Sequence, residues 1–294
     1  NTTNNIENDS YRIFSNAEYY LTDQTLVNAG IAYEKSDTGG KNISPRASIN
    51  HHFYKNHTLR LSTSRAYRDP FVFEESPDYR FPLAIPNNVL FFDAGNIDPE
   101  QITSWEVGYV GNFPHIHTSL DARYFHDDLD KLIRFDKTAD PAGLDGTALF
   151  FNNDSSARIN GIEVSARYRP GNGNHLNISY THQKVSSKNR SDDAGYANSG
   201  PSDMLNILAA HRFDGGYSAS VGYYYLSKMK ELSSRDIRSA QHRTDIRIAR
   251  TVTAARKDFI FAFVVQNLFD KNDDTRLRNN IDRRVYGSIS IHTR

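Results

Sequence analysis

The stretch that decides the fold is Ile162-Glu163-Val164-Ser165-Ala166-Arg167-Tyr168, a break at Pro170-Gly171-Asn172-Gly173, and then Leu176-Asn177-Ile178-Ser179-Tyr180-Thr181. Ile162, Val164, Ala166 and Tyr168 alternate with Glu163, Ser165 and Arg167. Leu176, Ile178 and Tyr180 alternate with Asn177, Ser179 and Thr181. A period of two places one set on each side of a strand. Proline and glycine between the runs supply a tight turn. The pair therefore reads as a hairpin with one apolar and one polar face.

The same pattern extends in both directions. Trp105, Val107 and Tyr109 oppose Ser104 and Glu106; Leu120, Ala122 and Tyr124 oppose Asp121 and Arg123; Ile246 and Ile248 oppose Asp245 and Arg247; Val285, Gly287, Ile289 and Ile291 oppose Tyr286, Ser288, Ser290 and His292. About thirteen such segments follow, near 11–21, 25–36, 44–54, 57–68, 102–112, 117–135, 156–169, 174–187, 203–213, 217–228, 242–251, 258–268 and 284–293. Their connections differ in length. Short ones fall at Thr22-Asp23-Gln24, Lys55-Asn56, Asn112–His115, Pro170–Gly173, Asp214-Gly215-Gly216 and Thr253–Arg256, and long ones near 69–101, 136–155, 188–202, 229–241 and 269–283. Turns on one side and long loops on the other describe an all-β, antiparallel transmembrane β-barrel, with short periplasmic turns, long extracellular loops and a periplasmic C-terminus.

Composition fits that reading. Mean hydropathy is −0.65 and no run approaches the length of a membrane helix, but alternating barrel strands escape a hydropathy window. Tyr and Phe number 17 each, which is strand composition. A soluble β-sandwich or adhesion domain also alternates. Three features favour the membrane: strands of ten residues or more, charges of both signs on the polar face, and aromatics at strand ends. These are Tyr19-Tyr20, Tyr33, Tyr67, Tyr223-Tyr224-Tyr225 and Tyr286, the expected girdles. With 35 basic and 35 acidic residues the net charge is zero, which speaks against nucleic acid as a partner. The absence of cysteine excludes disulfides and thiolate chemistry. There is no Gly-x-Ser-x-Gly elbow, His-Glu-x-x-His pair or phosphate loop, so neither an enzyme nor a cofactor is expected.

Several further strings punctuate the chain: Ser44-Pro45-Arg46-Ala47-Ser48, the run from Leu59-Arg60-Leu61-Ser62 to Ala66-Tyr67-Arg68-Asp69-Pro70, Gly95-Asn96-Ile97-Asp98-Pro99-Glu100 followed by Trp105-Glu106-Val107-Gly108, Asn160-Gly161-Ile162-Glu163-Val164, and Asn267-Leu268-Phe269-Asp270-Lys271, with Arg284-Val285-Tyr286 opening the last strand. Together, and in this order over most of the chain, they resemble the barrel of TonB-dependent receptors. The resemblance implies that residues 1–294 are the C-terminal part of a barrel of 22 strands, of which about thirteen are here. It also implies partners: outer-membrane lipid, a plug domain and the remaining strands, and the TonB energy complex acting through the plug. The implied function is uptake of a scarce nutrient, foremost a ferric siderophore, with cobalamin and glycans behind. A passive or structural barrel, half of a split barrel, is the alternative. The aromatic residue that ends such proteins would fall one place beyond Arg294, so either the end is trimmed or the terminal signal differs.

Candidate ligand residues lie in the loop after Pro70: Phe71, Phe73, Tyr79, Arg80, Phe81, Phe91 and Phe92. A long loop rich in aromatics can close over a ligand, or pack on its neighbours. Arg65, Arg68, Arg80 and Arg158 could meet an anion, or pair with Glu74, Glu106 or Asp154. By register, Arg46, Arg60, Glu106, Asp121, Arg123, Glu163, Arg167, Asp245 and Arg247 face the lumen and a plug. No metal site is expected: His51 and His52 point to opposite faces, and His115 and His117 sit at a turn. The Asp127-Asp128 and Asp273-Asp274 pairs read as solvated charge. Haem receptors of the family place a histidine in the interval that here runs from Asp69 to Asn96, and it holds none.

Overall fold

The computed structural model describes residues 8–77, 90–91, 97–139, 147–171, 173–188, 196–232, 236–269 and 282–293. The strands are β1 (Ser10–Thr22), β2 (Thr25–Ser36), β3 (Gly40–Tyr54), β4 (His57–Arg68), β5 (Leu90–Phe91), β6 (Glu100–Phe113), β7 (Thr118–Ala139), β8 (Thr147–Tyr168), β9 (His175–Ser187), β10 (Asp203–Arg212), β11 (Tyr217–Leu226), β12 (Met229–Lys230), β13 (Ile237–Arg238), β14 (Gln241–Ala254), β15 (Lys257–Gln266) and β16 (Arg284–Thr293). A one-turn helix, α1 (Val72–Glu75), follows β4. Thirteen strands join in chain order into one antiparallel sheet, β1 to β4, β6 to β11, then β14 to β16. The barrel is not closed, and β1 and β16 are the sheet's two edges.

Cross-strand partners share a face, so the register assigns every side chain. One cross-strand row runs Leu59, Tyr109, Ala122, Val164, Tyr180, Leu205, Tyr225. A second, on the other face, runs Arg60, Gly108, Arg123, Glu163, Thr181. The apolar row starts beside the Lys55-Asn56 turn and ends at the loop end of β11. That stagger is what strand tilt in a barrel produces.

Packing separates this sheet from a sandwich. A sandwich buries one face of each strand. Among the described residues only Ile97, Leu132, Ala157, Ala249 and Ala262 are buried hydrophobics, while Ile13, Leu61, Ile248, Phe263 and Ile289 are 52–69% exposed. A continuous apolar face of this extent does not persist in water; lipid is the medium that covers it. Aromatics border it. Tyr19, Phe53, Tyr109, Tyr168 and Tyr217 lie toward the tight turns; Tyr33, Trp105, Tyr124, Tyr180, Tyr223 and Tyr225 lie toward the loops. Eight residues separate Tyr217 from Tyr225 on β11. At ~3.3 Å per residue and a tilt of ~40°, the girdles stand ~20 Å apart, close to the apolar height of an outer-membrane barrel. Adjacent tyrosines split between faces, so Tyr20, Tyr224 and Tyr286 lie on the polar one.

The tight turns sit where the sequence places them. Ala255 and Arg256 both have positive φ, 51° and 58°, the conformation of a two-residue hairpin turn. Three boundaries depart from expectation. β3 begins at Gly40, so the β2–β3 connection is the short turn 37–39 on the long-loop side. β7 and β8 are 22 residues each, so most of the expected 136–155 loop is strand. Above the girdle neither face touches lipid, so Phe150-Phe151-Asn152-Asn153 has no reason to alternate, and a bulge near Lys131 (φ 56°) shifts the register. The 229–241 loop carries the small β12–β13 pair.

Candidate functional site

At its loop end, β4 turns into the candidate ligand loop at Asp69. Its carboxylate accepts from Ser36 Oγ (2.5 Å) and Asn42 Nδ2 (2.9 Å). Gly39 N donates to Ser36 Oγ at 2.8 Å. Ser36 and Asn42 are buried, so the carboxylate satisfies groups that water does not reach. A Cβ on Gly39 would stand 2.0 Å from the Asp69 carboxyl; glycine is what allows the approach. The base of the loop is thus fastened to the β2–β3 turn.

Arg68 organises the next layer. It donates to Glu100 (2.6 Å) and Glu74 (3.0 Å), and its guanidinium lies 5.3 Å from the Phe71 ring centroid. Glu74 also accepts from the Phe71 amide at 2.8 Å, capping α1. Glu100, five residues beyond Trp105 and outside the girdles, accepts from Ile133 N at 2.8 Å. Partial burial pushes the Glu100 carboxyl up, but Arg68 and that amide together hold it below its ordinary value. On the same side Lys131 Nζ meets Asp98 (2.7 Å), and Asn153 Nδ2 bonds the backbone oxygens of Asp98 and Lys131.

The β7–β8 hairpin stands above the loop-side girdle and receives the loop. Phe73 meets Phe151 edge-on at 5.8 Å, and Phe151 meets Phe135 at 6.3 Å. β5 pairs in parallel with Ala148 and Leu149 of β8. Phe71, Phe73 and Phe135 remain 68%, 48% and 56% exposed, an aromatic surface open to the medium. The structure therefore brings Phe71 and Phe73 to one place. Tyr79, Arg80, Phe81 and Phe92 lie outside the described residues, as does the side chain of Phe91. Phe135 and Phe151 are partners that sequence reasoning missed; the Phe150-Phe151 doublet was their signal, hidden inside an assumed loop. Of the four expected arginines, the three among the described residues are engaged. Arg68 pairs with Glu74 and Glu100, Arg158 with Asp128 (3.0 Å) rather than Asp154, and Arg65 donates to Thr103 Oγ1 (3.4 Å).

The polar face carries a charge lattice. Arg60 meets Glu106 (3.0 Å), Glu106 meets Arg123 (3.3 Å), and Arg123 meets Glu163 (2.7 Å), across β4, β6, β7 and β8. Arg46 donates to Asn16, and Asp245 pairs with Arg243 (2.7 Å) and accepts from Asn267 N (3.0 Å). All nine residues expected on this face share it by register. Asp121, Arg167 and Arg247 have no ion-pair partner among the described residues. A hollow of about 470 Å³ lies on the same face, lined by Asn16, Glu18, Arg46, Arg60, Ser62 and Glu106. The adjacent His51 and His52 are each occupied with a hydroxyl, Thr25 (2.9 Å) and Thr58 (2.8 Å) respectively. Among the described residues no three metal-ligating side chains cluster.

Comparison with known proteins places this geometry. The family model for the TonB dependent receptor-like β-barrel matches residues 1–268. The ferrienterobactin receptor of Escherichia coli (strain K12) is 29% identical over 69 residues, 24% of this chain and 9% of that receptor. Among solved structures, a siderophore receptor of Acinetobacter baumannii superposes with TM-score 0.74 at 15% identity, over 96% of this chain and 45% of its own. The ferric enterobactin receptor of Pseudomonas aeruginosa superposes with TM-score 0.72 at 17% identity, over 90% of this chain and 40% of its own. This chain thus spans less than half the length of those receptors, and at such identity the likeness shows the fold.

Proposed function

Because this chain belongs to the TonB dependent receptor-like β-barrel family, we propose that it forms the wall and part of the mouth of an outer-membrane receptor importing a ferric siderophore under TonB control. The tight turns and the C-terminus face the periplasm, and residues 1–294 are the C-terminal part of the barrel. The observation that carries the ligand reading is the exposed aromatic surface of Phe71, Phe73 and Phe135, beside the Arg68 ion pairs and the Asp69 fastening. Siderophores that present aryl groups around their iron centre suit an exposed aromatic surface of this kind.

The polar face is the lumen wall, and a plug domain packs against it. Residues already paired, such as Glu106 and Arg123, keep the wall's shape. Asp121, Arg167 and Arg247 are free to exchange ion pairs with the plug as it moves. The reading is transport without chemistry on the ligand, and no nucleophile, base and oxyanion site come together among the described residues of this surface.

The test is a binding panel on the whole receptor in detergent, with ferric catecholate, ferric hydroxamate, haem and cobalamin as probes. Saturable binding of a ferric siderophore at micromolar concentration or below is expected. Saturable binding of haem or cobalamin alone would replace this reading.

A further inference from the structure

One charged side chain stands out on the lipid-facing wall. Arg250 of β14 lies on the apolar face, with Ile248 and Val252 as its same-face neighbours along the strand. Among the described residues it is the only lysine or arginine on that face with an apolar neighbour on both sides of its strand. It is exposed and, among the described residues, has no carboxylate partner; its guanidinium sits 5.0 Å from the centroid of Tyr217, in the turn-side girdle. An unpaired cation in contact with hydrocarbon is costly and reaches for the interface or for an anion.

A groove of about 530 Å³ begins at Arg250 and runs away from the turns. Its walls are Tyr217, Ile248, Phe261, Phe263 and Ile289, and its floor is Gly287. All of these belong to the apolar face by register. Gly287 creates the depth: a Cβ there would approach only the Ala262 carbonyl oxygen, at 3.8 Å, so the space above it is open. Arg256 and Lys257 at the adjoining hairpin turn add positive charge. Of the nearby acids, Asp258 lies on the opposite face bonded to Thr253, leaving Asp214 in the β10–β11 turn.

We propose that this groove and Arg250 form a binding site for an anionic glycerophospholipid, with one acyl chain over Gly287 and the phosphodiester on the Arg250 guanidinium. A planar guanidinium with free donors suits a phosphate, and basic pockets at the membrane boundary hold anionic headgroups. A second groove on the same face, lined by Leu176, Ala209, Ala219, Val221 and Ile246, has His175 and His211 at its rim but no lysine or arginine. It supplies the contrast: a place for bulk lipid without headgroup selection. The proposal rests on the orientation given above, with the tight turns toward the periplasmic leaflet.

The experiment uses the whole receptor in nanodiscs of equal phosphatidylglycerol and phosphatidylcholine, released into mild detergent, with retained lipids counted by native mass spectrometry. Wild type and Arg250→Lys are expected to retain phosphatidylglycerol. Arg250→Gln and Gly287→Leu should lose it by about tenfold, the size of one charge-assisted contact; Ala209→Leu should change nothing. The change in electrophoretic mobility on heating checks that each variant is folded. Equal retention by Arg250→Gln, or a preference for phosphatidylcholine, overturns the site. Lipids extracted from native membranes separate the two assumptions: lipopolysaccharide in place of phospholipid, lost with Arg250→Gln, would reverse the orientation and overturn the phospholipid assignment.

Discussion

Phe73 of the loop after β4 and Phe151 of β8 meet edge-to-face, with ring centroids 5.8 Å apart and planes at 80°. The contact joins two elements 78 residues apart in sequence and sets the aromatic surface at the mouth. Such a pair contributes about 0.5–1.5 kcal/mol beyond its burial. Phe73→Ala and Phe151→Ala should each weaken siderophore binding about five- to tenfold, and the double variant should be less than additive. Binding isotherms on the folded receptor check this; full additivity would mean the rings do not act together.

The Asp69 fastening should govern the loop and leave the barrel alone. Asp69→Ala leaves the buried groups of Ser36 and Asn42 short of an acceptor, at a local cost of about 1–3 kcal/mol. Gly39→Ala drives a methyl group into the same carboxylate. Limited proteolysis should cut both variants faster after Pro70, with the strands still protected. Unchanged cutting in both would contradict the role given to Asp69.

Acid should loosen the mouth before the wall. Glu100 is held below its ordinary value in the folded protein. Its contribution is therefore present above the unfolded value near 4.5 and is lost as pH falls through the lower folded value. Proteolysis of the loop should accelerate as pH drops below about 4.5, and Glu100→Gln should remove much of that dependence while raising the rate at neutral pH. A profile unchanged by Glu100→Gln would refute the assignment.

On the polar face, paired and unpaired charges should behave differently. The lattice pairs are partly exposed, so Glu163→Gln should cost at most about 1 kcal/mol of stability. Arg167→Glu should reduce uptake several-fold with the fold intact if, as proposed, this charge meets the plug. Equal uptake by Arg167→Glu and wild type would remove that residue from the plug interface.

Much of this was legible in the sequence because lipid and lumen impose opposite demands on alternate residues. Ile162 to Tyr168 reveals its strand and its two faces without a structure, while its cross-strand partners come from the structure. Legibility stops where those demands stop. Above the girdle, Phe150-Phe151-Asn152-Asn153 is wet on both sides, so strand and loop look alike there. The Asp69 fastening depends on Ser36 and Asn42, 33 and 27 residues away in the chain, and no local pattern announces it. Ion pairing was already the favoured reading of Arg68 and Arg158, but only the structure locates their carboxylates, Glu74 and Glu100 for the one and Asp128 for the other. Arg250 drew no attention in the sequence, because its groove appears only when β15 and β16 bring Gly287 alongside.

The most direct test of the whole account is uptake of radioactive ferric siderophore by cells that make the intact receptor as their sole route for it, with and without TonB. The account predicts saturable uptake that collapses when TonB is absent, while surface binding persists. Uptake that is linear in concentration and indifferent to TonB would show a passive barrel and contradict it.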